Sequence, residues 1–257
     1  MIGSTAAERI DALRGRLRHY DESQLAFQLA EIAGEQVYLR HGVDVRAGDV
    51  VLDVGANVGV AAVYFATQCG AGRVHSFEPV PPLFALLREN VADLPACVVH
   101  PYGLSSAAGA GAITFYPGAA AMSGLYADAE RDRALVRTAL ANRGIHGADA
   151  DAQLAGRYEP RTFACELRTL SGFLREAALD RVDLLKIDVE RAELDVVAGI
   201  GADDWPRIRQ VVLEAHDEDG RAAALARALR DRGFDVATDQ DDAMLGTAVR
   251  LLYARRP

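Results

Sequence analysis

The segment VVLDVGANVG, residues 50–59, constrains the fold of this chain more than any other stretch of the sequence. Residues 50–54 are apolar apart from Asp53, which is typical of a buried strand. The chain then passes through Gly55 and Gly59 directly into the apolar run VAAVYFA. A strand that only filled a core would turn and return, so this passage indicates an α/β sheet with a ligand at the turn.

Strands and helices alternate on both sides of this segment, which predicts a parallel sheet with right-handed crossovers. Strands are predicted over residues 50–54, 73–78, 97–102, 183–188, 209–215, 233–238 and 247–254, and helices over 58–69, 81–92, 169–178, 191–199 and 219–232.

The alternation lapses in the middle of the chain. The segments AITFYP and TFACELRTL are predicted as strands on either side of a long connection, residues 118–160. Part of that connection, DAERDRALVRTALANRG, has a helical pattern that ends at a glycine. So long a connection inside a compact domain is typical of a lid, a binding loop or an inserted helical piece.

Residues 1–36 are predicted to be a helical extension, and residues 37–257 a single α/β domain. Apolar residues of the extension recur at helical spacing, at Ile10, Leu13 and Leu17 and again further along. Two amphipathic helices of this kind would either cap the main fold or form a homodimer contact.

The composition excludes several classes of partner. A net charge of −9 argues against nucleic acid or an anionic membrane surface, since both attract basic proteins. The first twenty residues lack the apolar core of a signal peptide, and Asp53 and Asn57 interrupt the run that a membrane helix would need. The three widely spaced cysteines suggest neither a disulfide framework nor a zinc site. The sequence therefore predicts a soluble cytoplasmic protein with a small-molecule ligand.

The turn after the first strand is predicted to bind that ligand, because ligands of open parallel sheets lie at the carboxyl ends of the strands. Gly55 and Gly59 would let the backbone approach it closely, and Asp53 would attract an ammonium group. Glu78 ends the next strand, where a carboxylate can accept both hydroxyls of an adenosine ribose. Asn57 replaces the glycine that makes room for a pyrophosphate in dinucleotide sites. The pattern favours S-adenosylmethionine, with an ordinary glycine turn as the alternative.

Several segments, in order and spacing, resemble the FkbM-type S-adenosylmethionine-dependent methyltransferases over about residues 37–254. They are VVLDVGANVG, FEPVPPLFALLRENV, GLSS, LRTLSGFL and DLLKIDVERAELDVVAGI. The resemblance implies a Rossmann-like, seven-stranded, mostly parallel sheet in the order 3-2-1-4-5-7-6 with strand 7 antiparallel, and methyl transfer to oxygen on sugars or secondary metabolites. It also implies cofactor contacts from Asp53, Gly55, Asn57 and Gly59, with Glu78 on the ribose. One departure is Arg191, where the family commonly has glycine.

A second group of candidate residues ends the strands DLLKID and RQVVLEA. Lys186 and Asp188 share one face of the first strand, and Glu214 and His216 end the other, so adjacent strands would bring them together. In one hypothesis Asp188, Glu214 and His216 or Asp217 bind Mg²⁺, which orients the substrate hydroxyl. In a second, His216 is a metal-free general base. In a third, Lys186 deprotonates the substrate or positions Asp188. The alternative without chemistry is a buried Lys186–Asp188 ion pair, with His216 capping a helix.

Weaker candidates complete the predicted site. Tyr38 would close over the cofactor, and the substrate would contact Ser123, Tyr126, Tyr158 and Arg161 of the long connection. The sequence as a whole predicts an O-methyltransferase acting on a hydroxylated natural product or its sugar. A NAD-dependent oxidoreductase is the alternative enzyme, and a non-catalytic cofactor-binding partner in a biosynthetic complex is the alternative from another class.

Overall fold

The computed structural model describes residues 5–257. Its strands are β1 Val50–Val54, β2 Arg73–Phe77, β3 Cys97–His100, β4 Gly103–Leu104, β5 Gly109–Phe115, β6 Arg161–Arg168, β7 Leu184–Ile187, β8 Gln210–His216, β9 Asp235–Asp239 and β10 Val249–Arg255. Its α-helices are α1 Ala6–Arg14, α2 Glu22–Leu29, α3 Val60–Tyr64, α4 Pro81–Asn90, α5 Ala129–Asn142, α6 Gly147–Leu154, α7 Leu170–Glu176, α8 Glu193–Ala198 and α9 Arg221–Arg230. Short π-helical turns, Ala30–Gly34 and Phe65–Cys69, extend α2 and α3, and 3₁₀ turns lie at Val37–Leu39, Ala120–Met122, Trp205–Arg207 and Asp242–Met244.

The main sheet has seven strands in the order β3-β2-β1-β7-β8-β10-β9. Its pairs are parallel except that β10 runs antiparallel to both β8 and β9. Numbered within this sheet alone, the order is 3-2-1-4-5-7-6, so the predicted Rossmann-like fold is confirmed. The carboxyl ends of β1, β2, β7 and β8 consequently meet at one edge, which is where such sheets bind ligands.

Both faces of the main sheet are buried. Successive side chains of each strand point to opposite sides, so each strand contributes to both faces. In β1, Val51 packs into the hydrophobic cluster on one face, whereas Leu52 and Val54 pack into the cluster on the other. Asp53 is on the same side as Val51 by this alternation, and its side chain is fully buried. The near-continuous apolar strands of the sequence therefore reflect a sheet covered by helices on both sides.

The two strands flanking the long connection pair with each other in a second, smaller sheet. β5 and β6 are antiparallel, with Gly109 opposite Leu167 and Phe115 opposite Arg161, and β4 joins the other edge of β6. The sequence predicted both long strands but not this separate sheet. The connection between them contains α5, which Asp128 caps at its start, and α6, which was not predicted.

The N-terminal helices cap the main fold. α1 and α2 are confirmed, and Leu13, Leu25 and Leu29 belong to the same hydrophobic cluster as β1. The apolar face that suggested a dimer contact is thus occupied within the chain. The first four residues of the predicted extension lie outside the described residues, and its boundary at residue 36 stays a prediction. Within residues 5–257, no helix is both long and apolar enough to cross a membrane.

Candidate functional site

A cavity opens at the carboxyl ends of the central strands. Gly55 and Asn57 line it after β1, Glu78 after β2 and Asp188 after β7, while Glu214 lines it from β8. The π-helical turn that follows α2 and residues 120–125 of the long connection also contribute to the wall. The cavity has a volume of about 140 Å³ and opens to solvent.

The two glycines of the turn are required by the packing of the chain against itself. Gly55 has a φ of +79° and Gly59 a φ of +92°, which favours glycine at both positions. A Cβ at Gly55 would lie 1.7 Å from the carbonyl oxygen of Asp188, and one at Gly59 would lie 2.6 Å from a methyl group of Leu87. Packing against protein atoms is thus sufficient to require glycine at both positions, and their contacts with a ligand stay a prediction. Gly55 still lines the cavity, whereas Gly59 lies behind its wall.

Glu78 is held rigidly in the cavity wall by backbone amides. The N–H of Asn57 donates to its Oε2 and the N–H of Val80 to its Oε1, both at 2.9 Å. Burial raises the pKa of Glu78 to about 7, although both amides act to lower it. Each carboxylate oxygen keeps a second lone pair, so Glu78 can still accept two hydroxyl groups, as predicted for a ribose.

Asn57 connects the turn to the long connection. Its backbone has a φ of +51°, a conformation that asparagine tolerates better than most residues. Its side-chain Nδ2 donates to the carbonyl of Ala120 at 3.3 Å. Asn57 therefore binds the turn to one of the cavity's other walls while lining the cavity itself.

Asp53 and Lys186 form a buried ion pair beneath the turn. Asp53 Oδ1 lies 3.0 Å from Lys186 Nζ, and the two residues are neighbours in the β1–β7 register. Lys186 Nζ also donates to the carbonyl of Gly55 at 2.8 Å. Burial alone would lower the pKa of Lys186, but Asp53 and Asp188 outweigh it and raise that pKa.

This pair corrects two predictions. The Asp53 carboxylate does not line the cavity. Lys186 of the same chain balances its charge, in place of the predicted ammonium group of a ligand. Lys186 is an ammonium ion that cannot accept a proton from a substrate. Its predicted pairing with Asp188 is the weaker contact, at 3.6 Å.

Asp188 is positioned by a tyrosine. The hydroxyl of Tyr38 donates to Asp188 Oδ2 at 2.7 Å, and both residues line the cavity. Burial and the nearby Asp188 raise the pKa of Tyr38 well above its ordinary value, so the tyrosine stays a donor. Tyr38 thus lies in the predicted cavity, where it orients a carboxylate.

His216 is buried between two carboxylates outside the cavity wall. Its Nε2 lies 3.1 Å from Glu190 and its Nδ1 lies 3.2 Å from Glu193, the first residue of α8. Burial alone would lower the pKa of His216, but the two glutamates raise it to about 11. The raised pKa favours the imidazolium form, and both ring nitrogens face carboxylates, so the structure does not support the predicted general base.

The predicted metal ligands are only partly brought together. Ligand atoms of Glu190, Glu214 and His216 lie within 4.8 Å of one another, so Glu190 takes the place predicted for Asp188. Asp217, the predicted alternative ligand, instead accepts the backbone N–H of Ala222 at the start of α9. His216 would have to lose its proton and one of its glutamate contacts before it could bind a metal ion.

Three carboxyl groups, Glu31, Asp188 and Glu214, form what we call the acidic wall of the cavity. Asp188 is held by Tyr38, but neither Glu31 nor Glu214 has a side-chain hydrogen bond or ion pair with any residue in the described part of the chain. Burial and the neighbouring Asp188 raise the pKa of both glutamates well above the ordinary value. The cavity therefore favours the protonated form of these two carboxyl groups, and a cationic ligand would favour their ionised form.

A buried ion pair fastens the long connection to the end of β7. Arg191 Nη1 lies 2.7 Å from Asp132 of α5, whose side chain is fully buried, and Arg191 Nε donates to Glu218 at 2.9 Å. The consecutive residues Glu190 and Arg191 have φ values of +49° and +74°, the region that favours glycine. The arginine at this glycine-favouring position thus provides an anchor for α5.

The four predicted substrate contacts lie in different places. Ser123 lines the cavity, although its hydroxyl already accepts the N–H of Tyr116. Tyr126 is exposed and donates to Asp195, Arg161 is exposed at the start of β6, and Tyr158 is buried in the wall of a second cavity. Of the four, only Ser123 lines the first cavity.

The residues of the cavity wall that the sequence analysis missed include Phe27, Glu31, Asp241 and Met244. The sequence held one indication of them, because Glu31 is an acid next to Ile32 on the apolar side of an otherwise amphipathic segment. Asp241 and Met244 lie in the loop between β9 and β10, which carries no motif.

Several known proteins are similar in sequence to this chain. Residues 53–236 match the family described as the methyltransferase FkbM domain. The chain is 40% identical over 240 residues to the 31-O-demethyl-FK506 methyltransferase FkbM of Streptomyces tacrolimicus, covering 93% of this chain and 92% of that protein. It is 30% identical over 254 residues to the methyltransferase sdnD of Sordaria araneosa, covering 93% of each. It is also 39% identical to a part of the AMB antimetabolite synthetase AmbE of Pseudomonas aeruginosa, covering 92% of this chain but only 12% of the synthetase.

Proposed function

The chain belongs to the FkbM methyltransferase family, and we propose that it transfers a methyl group from S-adenosylmethionine to a hydroxyl oxygen of a small molecule. A secondary metabolite or its sugar is the substrate class we favour, since the name of one relative describes methylation of an O-demethyl natural product. The net charge of −9 also favours a small molecule over nucleic acid.

The acidic wall is the observation that carries this proposal. Two carboxyl groups that have no partner within residues 5–257, Glu31 and Glu214, lie in the same cavity as the rigidly held Glu78. S-adenosylmethionine carries a sulfonium and an ammonium group, which suit an acidic wall, and a ribose diol, which suits Glu78. The donor set of the cavity therefore fits this cofactor.

When bound, S-adenosylmethionine supplies a methyl group activated by its sulfonium. The protein must hold the acceptor oxygen in line with the methyl–sulfur bond and take up the hydroxyl proton. Lys186 and His216 are both protonated, so neither can take it. We assign this role to Glu214, which lines the cavity and has no partner among the described residues. The sulfonium and ammonium groups of the bound cofactor would favour its ionised form, which is the form that can take the proton.

Assistance by Mg²⁺ fits the donor set poorly. The cluster of Glu190, Glu214 and His216 offers only two carboxylates, whereas Mg²⁺ prefers oxygen ligands throughout. Its histidine is already engaged by Glu190 and Glu193. We therefore derive no step through a metal ion and expect the transfer to proceed in the presence of EDTA.

The experiment is transfer of radiolabelled methyl from S-adenosylmethionine to a panel of hydroxylated natural products and sugars, each paired with its deoxy analogue. We expect labelling of hydroxylated members only, unchanged by EDTA and reduced at least about hundredfold by Glu214→Gln. Glu218→Gln, which alters an acid outside the cavity, serves as the matched control.

Each other outcome favours a different function. Labelling of the deoxy analogues would show that the methyl group goes to an atom other than the hydroxyl oxygen. Cofactor binding without turnover on any member would favour a non-catalytic partner, such as a unit of a biosynthetic complex. Binding of NAD in place of S-adenosylmethionine would favour an oxidoreductase.

A further inference from the structure

A second, largely apolar cavity of about 250 Å³ lies beside the one described above. Phe27 of α2, Met122 of the 3₁₀ turn and Met244 of the β9–β10 loop line it, together with Leu135, Ala139 and Leu140 of α5. The polar residues of its wall include Arg143, Arg157 and two glutamines. The helix α5 of the long connection therefore forms much of this second cavity.

The two cavities share part of their walls. Phe27, Ala121, Met122 and Met244 line both of them. The short turn Ala120–Met122 separates them and is followed directly by Ser123 and Gly124, which line the first cavity. The two cavities are therefore adjacent, and a ligand that occupied both would pass this turn.

The second cavity is not an ordinary piece of core. The buried apolar cluster of the long connection is small, with Tyr116, Ala119, Leu154 and Tyr158, and partly exposed side chains surround it. The cavity faces small residues such as Ala139, where a larger side chain would fill the space. Unfilled apolar space destabilises a fold, and a dry apolar cavity binds apolar molecules. Met122 and Met244 add side chains that adapt to varied ligand shapes.

We propose that this second cavity binds the hydrocarbon body of the acceptor substrate, so that the substrate is a hydroxylated molecule with a large apolar portion. The inference rests on the proposed methyl transfer. It assigns α5 the role of selecting the acceptor by apolar contact, with the hydroxyl at the acidic wall.

Linear alkanols from 1-butanol to 1-octanol test the cavity without knowledge of the natural substrate. Their dissociation constants are measured by saturation-transfer NMR on the full chain, with S-adenosylhomocysteine affinity measured separately by calorimetry. We expect binding to tighten about fourfold for each added CH₂, the factor for a fully buried methylene group.

A matched pair of variants on α5 locates the binding. Ala139 is buried in the cavity wall, whereas Ala134 is exposed on the same helix. Ala139→Trp should weaken 1-octanol binding at least tenfold, and Ala134→Trp should leave it unchanged. Ala139→Leu fills less space and should give an intermediate loss, which keeps the test usable if the tryptophan variant does not fold.

Affinity that is independent of chain length, or equal in Ala139→Leu and the unmodified chain, would overturn the proposal. Neither Ala139 variant should change the affinity for S-adenosylhomocysteine. Failure of S-adenosylhomocysteine to bind the unmodified chain, with the alkanol series as expected, would overturn the proposed methyl transfer and leave the apolar site standing.

Discussion

The turn after β1 and the acidic wall lie at the same edge of the main sheet and both present carboxylates, but they differ in whether those carboxylates have partners. Asp53 at the turn is fully buried and paired with Lys186. Glu31 and Glu214 in the acidic wall are unpaired within the described chain. The Asp53 carboxylate at the turn is therefore paired within the protein, whereas Glu31 and Glu214 of the acidic wall are available to pair with a ligand.

This difference shows how position at a strand end relates to function. Residues that look most like a ligand motif, Gly55, Gly59 and Asp53, serve the packing and charge balance of the fold. The residues able to bind a ligand or to take a proton are instead Glu78, Glu214 and Glu31, which line the cavity. The following predictions test this division, and the largest expected effect comes first.

Gly55→Ala should have the largest effect on stability. Its Cβ would overlap the carbonyl oxygen of Asp188 at 1.7 Å, in a left-handed conformation, so the strand ends must separate. We expect a loss of more than about 4 kcal/mol of unfolding free energy, or failure to fold. Gly48→Ala is the control, because Gly48 has a φ of +87° but no atom within 4 Å of its Cβ position. It should cost only about 1–2 kcal/mol in urea denaturation. Equal losses in the two variants would restore the view that Gly55 is kept for a ligand.

Lys186→Met should cost about 3 kcal/mol, because it leaves the Asp53 carboxylate buried without its counter-charge. The double variant Asp53→Asn with Lys186→Met removes both charges and should recover much of that loss. Urea denaturation of the single and double variants gives the coupling free energy. A coupling near zero would mean that the pair does not account for the burial of these residues.

Arg191→Gly should cost about 2 kcal/mol. Loss of the ion pair to the buried Asp132 is worth about 3–5 kcal/mol, and glycine relieves about 1–2 kcal/mol of backbone strain. The effect should be local, with faster proteolysis within residues 118–160. Arg131→Ala, which removes an exposed ion pair to Glu218, is the matched control and should change stability by less than about 1 kcal/mol. Unchanged proteolysis in Arg191→Gly would show that α5 is anchored by other contacts.

The pH dependence of stability should reveal the charge state of His216. Its folded pKa, about 11, lies above the ordinary value of 6.5. The ionised ring therefore contributes stability that is fully present below pH 6.5 and is lost as the pH rises through about 11. In that window the unfolding free energy should fall more steeply than in His216→Gln, by up to about 1.4 kcal/mol per pH unit. Parallel curves for the two proteins would indicate a neutral ring, and His216 would again be a candidate base.

The main sheet could be predicted from the sequence because strand and helix periods are local properties, whereas the smaller sheet and α6 were missed. The positions of β1, β2, β7 and β8 followed from apolar runs, and the sheet order followed from the resemblance to a known family. The grouping of Asp188 and Glu214 at one edge followed from their places at strand ends.

Partner choice was not accessible in the same way. Asp53 meets Lys186 because β1 and β7 pair in one particular register, which no local pattern specifies. Glu190, and Glu193 from α8, raise the pKa of His216, so its role depended on contacts between elements. The contribution of Glu31 required α2 and the turn after it to pack over the sheet, and the charge of a single residue could not predict that.

The most direct test of the account is a calorimetric titration with S-adenosylhomocysteine, with NAD as the comparison ligand. We expect S-adenosylhomocysteine to bind in the micromolar range and NAD not to bind. Glu78→Ala should weaken binding at least tenfold, and Glu89→Ala, which alters an exposed acid on α4, should not. Binding of NAD alone, or equal binding to all three proteins, would contradict the claim that this cavity holds the adenosine of the cofactor through Glu78.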